Sequence, residues 1–369
     1  MIVRRAKGWK NLTARDRIRP AAARNSSKRY TVPIDHHFVT SRKRFMKILV
    51  TGATGFLGNN LARKMLQQGH EIVTTVRPTS DLRPLDGLGI EVVHANLTDA
   101  KAMSPVVEDV DLVVHSAAMI QIGHSRRESS IAFNAGSTRV LAEAARRREI
   151  RMINVSTVDI FPASSDGTPV VESAEGEPKH NCSYVVSKRA ASDAFAEEVE
   201  KGLDGITVCP GFMLGPNDWK PSSGEMLLLV ARTPLFFVAA GGCSVVDVRD
   251  VADGIIRAIN RGKAGEKYIL GGENISYKEL WTRMAKAVGC SPPRKKIGNF
   301  LANVAGKTGD LISKFCKEEL QLNSAALEMG QMLHWYSSEK AISELGYSIG
   351  DIDIAIEDAW KWFQLHEYA

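Results

Sequence analysis

Tyr184 and Lys188 stand four residues apart in SYVVSKRAASDAF, so on a helix they share one face. A phenol moves a proton near neutral pH only when its phenolate is stabilised. A lysine ammonium on the same face can supply that charge. Upstream, the run RMINV (151–155) leads into Ser156-Thr157. A hydroxyl at a strand end, then a loop, then the Tyr–Lys pair would hold a substrate oxygen beside the phenol. Thr157 and Ser156 are the candidates for that hydroxyl. Tyr336 and Lys340 repeat the spacing. No strand ending in Ser or Thr leads into them, and they read as an exposed polar turn entering a helix.

These groups need a scaffold, and residues 46–58 (MKILVTGATGFLG) are its centre. Ile48, Leu49 and Val50 make an uncharged run, as in a strand buried on both faces. A glycine-rich turn follows, and then Leu57, Leu61, Met65 and Leu66 recur at helical spacing. Strand, glycine turn and helix N-terminus together form a pyrophosphate-binding unit. Further strands are expected at 71–76, 90–95, 111–116, 151–155 and 205–211, alternating with helices. That alternation predicts an α/β fold with a doubly wound parallel sheet. Residues 212–221 read as a loop, 268–272 as a further strand and 278–288 as an amphipathic helix.

The spacing Gly-x-x-Gly-x-x-Gly in TGATGFLG resembles that of the short-chain dehydrogenase/reductase superfamily, its extended branch (the NAD-dependent epimerase/dehydratase family) in particular. The stretches 76–99, 265–280 and 337–347 are similar to bacterial proteins of the dihydroflavonol 4-reductase-like and hopanoid-associated sugar epimerase groups. The resemblance implies a cofactor site built from Gly52, Thr54, Gly55, Phe56, Leu57 and Gly58. It adds Asn96 and Leu97 near the adenine, with Asn96 where relatives carry Asp, and the small turn Ser116-Ala117-Ala118. It also adds Pro210 at the end of the sixth strand. Lys188 would bind the nicotinamide ribose, and Asn134, opening a helix, would help hold Lys188 through water. Arg77 stands nineteen residues after Gly58, where NAD binders carry an acid. A cation there fits a 2′-phosphate, so NADP(H) is expected, with Asp81 the rival signal for NAD.

The implied activity is hydride transfer between nicotinamide and a carbonyl or secondary alcohol of a small molecule. Tyr184 gives or takes the proton, Lys188 tunes it and Thr157 orients the substrate. Two alternatives stand beside it: a sugar or nucleotide-sugar epimerase, and a non-catalytic dinucleotide-binding sensor. Dehydration is disfavoured, because dehydratases of this family carry Asp-Glu after the threonine and this chain has Val158-Asp159. The substrate is expected against residues 119–122 and the 212–226 loop; Phe212 and Trp219 suit a ring or an apolar skeleton there, and suit the core equally.

The totals bound the alternatives. Of 48 Lys and Arg, 13 fall in the first 45 residues beside only two acids, and the remainder is net acidic. The basic character belongs to that extension, and nucleic-acid binding by the body is not expected. Residues 1–45 read as a disordered extension, a targeting peptide, or sequence ahead of a true start at Met46. The dinucleotide-binding domain is expected over 46–211. A smaller, mostly helical substrate region is expected over 212–369, with a segment near 245–260 returning to the first domain. Five scattered cysteines without a Cys-x-x-Cys pair fit a reducing, cytoplasmic setting and no metal site. No run of eighteen apolar residues exists to span a membrane. A homodimer is compatible with all of this.

Overall fold

The computed structural model describes residues 45–176, 181–233, 237–313 and 323–369. The basic extension through Arg44, Pro178, Pro234 and Cys316 lie outside the described residues. In chain order the elements are β1 (Lys47–Thr51), α1 (Phe56–Gln67), β2 (Glu71–Val76), β3 (Glu91–His94), α2 (Ala100–Glu108), β4 (Leu112–His115), α3 (Arg127–Arg147), β5 (Arg151–Val155), α4 (Ser183–Glu200) and β6 (Gly205–Pro210). There follow β7 (Phe212–Leu214), α5 (Glu225–Arg232), β8 (Phe237–Val238), β9 (Gly242–Asp247), α6 (Val248–Arg261), β10 (Lys267–Leu270) and β11 (Glu273–Ser276). The last are α7 (Tyr277–Val288), β12 (Lys295–Lys296), α8 (Asn299–Ser313), α9 (Ser324–Gln331), β13 (Leu333–His334) and α10 (Ile352–Leu365).

Seven parallel strands form the main sheet in the order β10-β6-β5-β4-β1-β2-β3. Alternate residues of β1 enter opposite cores, as the pleat requires. Ile48 and Val50 join the face covered by α1 and α6, and Leu49 joins the face covered by α2, α3 and α4. This is why the strand has no polar alternation. The strand order reverses between β1 and β4, which opens a crevice at their C-terminal ends. Thr51, Ser116 and Thr157 all lie at that end of the sheet.

The C-terminal part builds a second sheet, β11-β9-β13 with β7 on β9. Its core is made with α5, α7 and α10. Two expectations change here. Residues 212–214 are strand β7 and not loop, because they pair with Val245, Val246 and Asp247 of β9. The strand expected at 268–272 ends at Leu270 and is the seventh strand of the main sheet, beside β6. Helix α6 packs on α1 with Val248, Val251, Ala252, Ile255 and Ala258 buried. No helix among the described residues is long and apolar enough to cross a membrane.

The turn between β1 and α1 depends on two glycines. Gly52 has φ +76°, and a Cβ there would meet the Ala117 backbone nitrogen at 2.8 Å. A Cβ on Gly58 would stand 2.2 Å from the Gly52 carbonyl oxygen. Strand and helix can close only with hydrogen at both places. Gly58→Ala is expected to cost about 1–3 kcal/mol of stability, as overpacking does. It should also weaken nicotinamide dinucleotide binding at least tenfold, read by thermal melts and fluorescence titration. Wild-type binding in that variant would refute the contact's importance.

Candidate active site

The helix N-terminus that follows the glycine turn is open. Gly55 is the N-cap of α1, has no side chain to cap it, and the first turn carries no acid. The N–H groups at the start of α1 therefore point out without a side-chain acceptor, in the arrangement that receives an anion. With Gly52 and Gly58 leaving no room for a β-carbon, this cradle fits a dinucleotide pyrophosphate. Thr54 and Phe56 are half-buried at its rim, and Leu57 is buried behind it.

The β4 end is fixed by a buried histidine that sequence reasoning missed. The Thr51 hydroxyl accepts a bond from the Ala117 amide at 3.2 Å and lies 2.8 Å from His115 Nδ1. Ser137 Oγ donates to the Asn134 carbonyl at 3.3 Å and so accepts from Nε2 at 3.4 Å, which puts the ring proton on Nε2 and leaves Nδ1 to accept from Thr51. Burial, then the Lys188 charge, pushes the His115 pKa down to about 3, so the ring is neutral. The available signal was a lone polar residue closing the apolar run LVVH.

Three elements meet at Asn134. Its Oδ1 accepts from the Met119 amide at 2.7 Å, and its Nδ2 donates to the Met119 carbonyl at 3.0 Å and to Ser187 Oγ at 2.9 Å. Ser187 in turn donates to the Tyr184 carbonyl at 2.9 Å. Asn134 lies inside α3, which starts at Arg127, so it does not open the helix as expected. Its direct bonds tie the 116–123 segment to α4 through Ser187. That segment also starts α4. The Ser183 and Tyr184 amides donate to the carbonyls of Gly123 and Gln121 at 2.8 and 3.1 Å, standing in for a side-chain cap.

Tyr184 and Lys188 sit on α4 as the spacing predicts, but they face different partners. The Lys188 ammonium donates to the Val155 carbonyl at 2.7 Å, at the end of β5. Burial lowers its pKa to about 8. The Tyr184 phenol lies near Thr157. Its pKa is raised, first by burial and then by the Asp159 charge, with the Thr157 hydroxyl opposing both. Ser156, the other candidate hydroxyl, bonds Ser192 of α4 at 3.0 Å.

Other expected residues divide. Asn96 turns its Oδ1 onto the Thr98 amide and hydroxyl at 3.1 and 3.0 Å, so its acceptor is used within the turn. Leu97 is buried, Ser116, Ala117 and Ala118 are half-buried, and Pro210 is buried in β6 beside Leu270. Arg77 is exposed at the end of β2. Asp81 is held by Arg83 at 2.6 Å. Trp219 belongs to the C-terminal core, edge-on to Trp362 at 5.2 Å and His366 at 4.8 Å, and Phe212 packs against the same core. Of the two readings of these rings, the core one describes their packing. Tyr336 is buried at 2 % exposure, not in an exposed turn, and Lys340 pairs with Glu266 at 2.6 Å.

A glycine cradle at the switch point and a Tyr–Thr pair at the next strand ends define an extended short-chain dehydrogenase/reductase. The chain belongs to the NAD dependent epimerase/dehydratase family, whose model matches residues 48–271. It is 30% identical over 326 residues to a provisionally named dihydroflavonol 4-reductase of Synechocystis sp., covering 86% of this chain and 95% of that one. It is 27% identical to sterol demethylase protein B of Methylococcus capsulatus, over 86% and 98% of the two chains. A solved structure of a nucleoside-diphosphate-sugar epimerase from Pseudomonas aeruginosa superposes with a TM-score of 0.73 at 26% identity, covering 88% of this chain and 99% of that one.

The buried Lys188 makes stability depend on pH. Its pKa is lower folded than the ordinary 10.5, so between about 8 and 10.5 the unfolded chain holds the extra proton and stability from this group rises with pH. The melting temperature of wild type minus that of Lys188→Met should therefore grow between pH 7 and pH 10 in ligand-free protein. A pH-independent difference would show that Lys188 is not desolvated.

Proposed function

We propose that this enzyme reduces a carbonyl group of a small molecule using NADPH. The observation that carries the reading is the place of Tyr184: it sits in the first turn of α4, which the 121–123 backbone and the 158–160 turn hold beside the strand ends that open the crevice, and its phenol is protonated there. That is the form that hands a proton to an alkoxide as it develops. Thr157 holds the substrate oxygen next to the phenol. Lys188, Asn134 and Ser187 fix the helix that carries it. A bound nicotinamide supplies the hydride. The Synechocystis relative favours a reductase of the dihydroflavonol type.

NADPH is favoured over NADH by charge at the end of β2. Arg77 is exposed there and makes no ion pair among the described residues, whereas the Asp81 carboxylate is already committed to Arg83. A free guanidinium at this place suits a 2′-phosphate and offers nothing to unmodified ribose hydroxyls that need an acceptor. Sugar epimerisation is the second reading, favoured by the Pseudomonas relative. An epimerase would retain cofactor through purification and show no net NADPH oxidation.

Fluorescence titration should give tighter binding of NADPH than NADH, and Arg77→Glu should weaken NADPH at least tenfold while affecting NADH little. Equal or tighter NADH binding by wild type would overturn the assignment. In absorbance assays against ketones, flavanones and nucleotide sugars, Tyr184→Phe should cost roughly a hundredfold or more in kcat, as loss of a general acid does. Unchanged turnover in that variant would sink the reductase mechanism.

A further inference from the structure

Helix α8 carries its residues the wrong way round for a helix that only covers a core. Its inner face is made of small residues: Ala302, Gly306 and Gly309 recur three to four apart and are buried. A Cβ on Gly306 would meet the Ser324 α-carbon at 2.7 Å, so this face lies tight on the start of α9. The large apolar side chains turn outward. Val304 is 49% exposed, Leu311 57% and Ile312 48%. Val304 and Leu311, seven residues apart, share one face with the exposed Lys307 and Thr308. A helix facing water shows the reverse pattern, with polar residues outside.

The apolar surface runs on to the crevice. The Asn323 side-chain amide at the start of α9 donates to the Ile122 carbonyl at 2.9 Å, and the next residue, Ser324, donates its backbone amide to Asp310 Oδ1 of α8 at 3.0 Å. Two consecutive residues thus join α8 to the 119–123 segment. In that segment Ile120 and Ile122 are exposed, beside the Gln121 and Gly123 carbonyls that hold the first turn of α4. Five of the fourteen exposed large apolar residues among the described ones therefore fall on two short stretches that meet at α9. Gathered like this they form a patch, which single exposed side chains do not.

Cations border the patch. Arg294, Lys295 and Lys296 are exposed just ahead of α8, Lys307 stands in its outer face, and Arg126 is exposed four residues past Ile122. The acids nearby are fewer: Asp310 is turned onto the Ser324 amide, and Glu128 and Glu328 are exposed. The chain from residue 46 onward is net acidic, so this local excess of positive charge runs against the balance of the body. Phe237 of β8 is exposed as well, paired in register with Lys295 of β12. Apolar side chains bordered by Lys and Arg, on a helix lying along the surface, are the pattern of an interfacial helix.

We propose that this face rests on an anionic membrane surface: α8 lies in the plane of the headgroups, Val304, Leu311 and Ile312 enter the acyl boundary, and the bordering cations meet lipid phosphates. The inference goes beyond the reductase reading and stands without it. The rival occupant is a second copy of the chain. A two-fold axis through the middle of this face would set the Lys307 ammonium groups of two copies against each other, whereas lipid phosphates offer the opposite charge. Ile120 and Ile122 then bring the mouth of the crevice to the lipid, so that a molecule dissolved there meets the site without passing through bulk water.

Cosedimentation of the full chain with vesicles of phosphatidylcholine and phosphatidylglycerol tests the proposal. The basic residues ahead of Met46 also attract anionic lipid, but by charge alone, and about 0.5 M NaCl screens that contribution. Wild type should therefore stay bound in that salt. Val304→Ser, Leu311→Ser and Ile312→Ser combined should lower the fraction bound there at least fivefold, with melting temperature and NADPH affinity near wild type. Lys295→Glu with Lys296→Glu should weaken binding in low salt at least threefold. In wild type, vesicles should slow hydrogen exchange over residues 304–312. Protection confined to the residues ahead of Met46, or serine and wild-type chains bound equally in high salt, overturns the proposal. So does a dimer in lipid-free sedimentation velocity that the serine substitutions split, which would give the face to a second copy.

Discussion

The carbonyl of Gly52 and the α-carbon of Gly58 touch, and most of the site is a consequence of that contact. It lets β1 pass into α1 through the short turn Gly52–Gly55 alone. The crevice at the reversal of strand order therefore begins at backbone, with helix N–H groups and no side chain in the way. The adjacent β4 end is held against the same turn, since Gly52 leaves less than a methyl group's width to Ala117. Thr51 and the neutral His115 lock that approach with hydrogen bonds that do not titrate near neutral pH.

The parts legible in the sequence are those decided locally. The strands at 71–76 and 151–155 agree residue for residue with β2 and β5. A parallel strand buried on both faces leaves an apolar run that needs no partner to be recognised. The Tyr184–Lys188 spacing is equally local, being a property of one helix. What failed to show is what distant pairing creates. Three residues, Phe212–Leu214, become a strand only because β9 lies beside them. Tyr336 sits among Ser337, Ser338, Glu339 and Lys340, which mark a surface. It is nonetheless buried among Val158, Phe161, Cys209 and Ile269, brought in from three other parts of the chain. The His334 contact with Asp159 has no local signature at all.

The C-terminal region is usually thought of as the part that grips substrate. Here it also completes the chemistry side of the crevice. Helix α9 packs Ala325 and Met329 against Cys182, Tyr184 and Val185. Its N-cap Asn323 donates to the Ile122 carbonyl at 2.9 Å and accepts from the Ala326 amide at 2.9 Å. The same short stretch that seats the start of α4 also brings His334 Nδ1 to 3.2 Å from Asp159 Oδ1.

The first turn of α4 owes its N-terminal hydrogen bonds to the carbonyls of Gln121 and Gly123 and not to a cap of its own. A helix end held in this way frays when its holder moves. Pressure on the 119–123 segment from a molecule in the crevice is thus transmitted along two backbone bonds to the residue that carries the phenol. Loading the crevice and setting the acid become one mechanical event: a ligand that seats the segment winds the turn, and one that dislodges it leaves the acid slack.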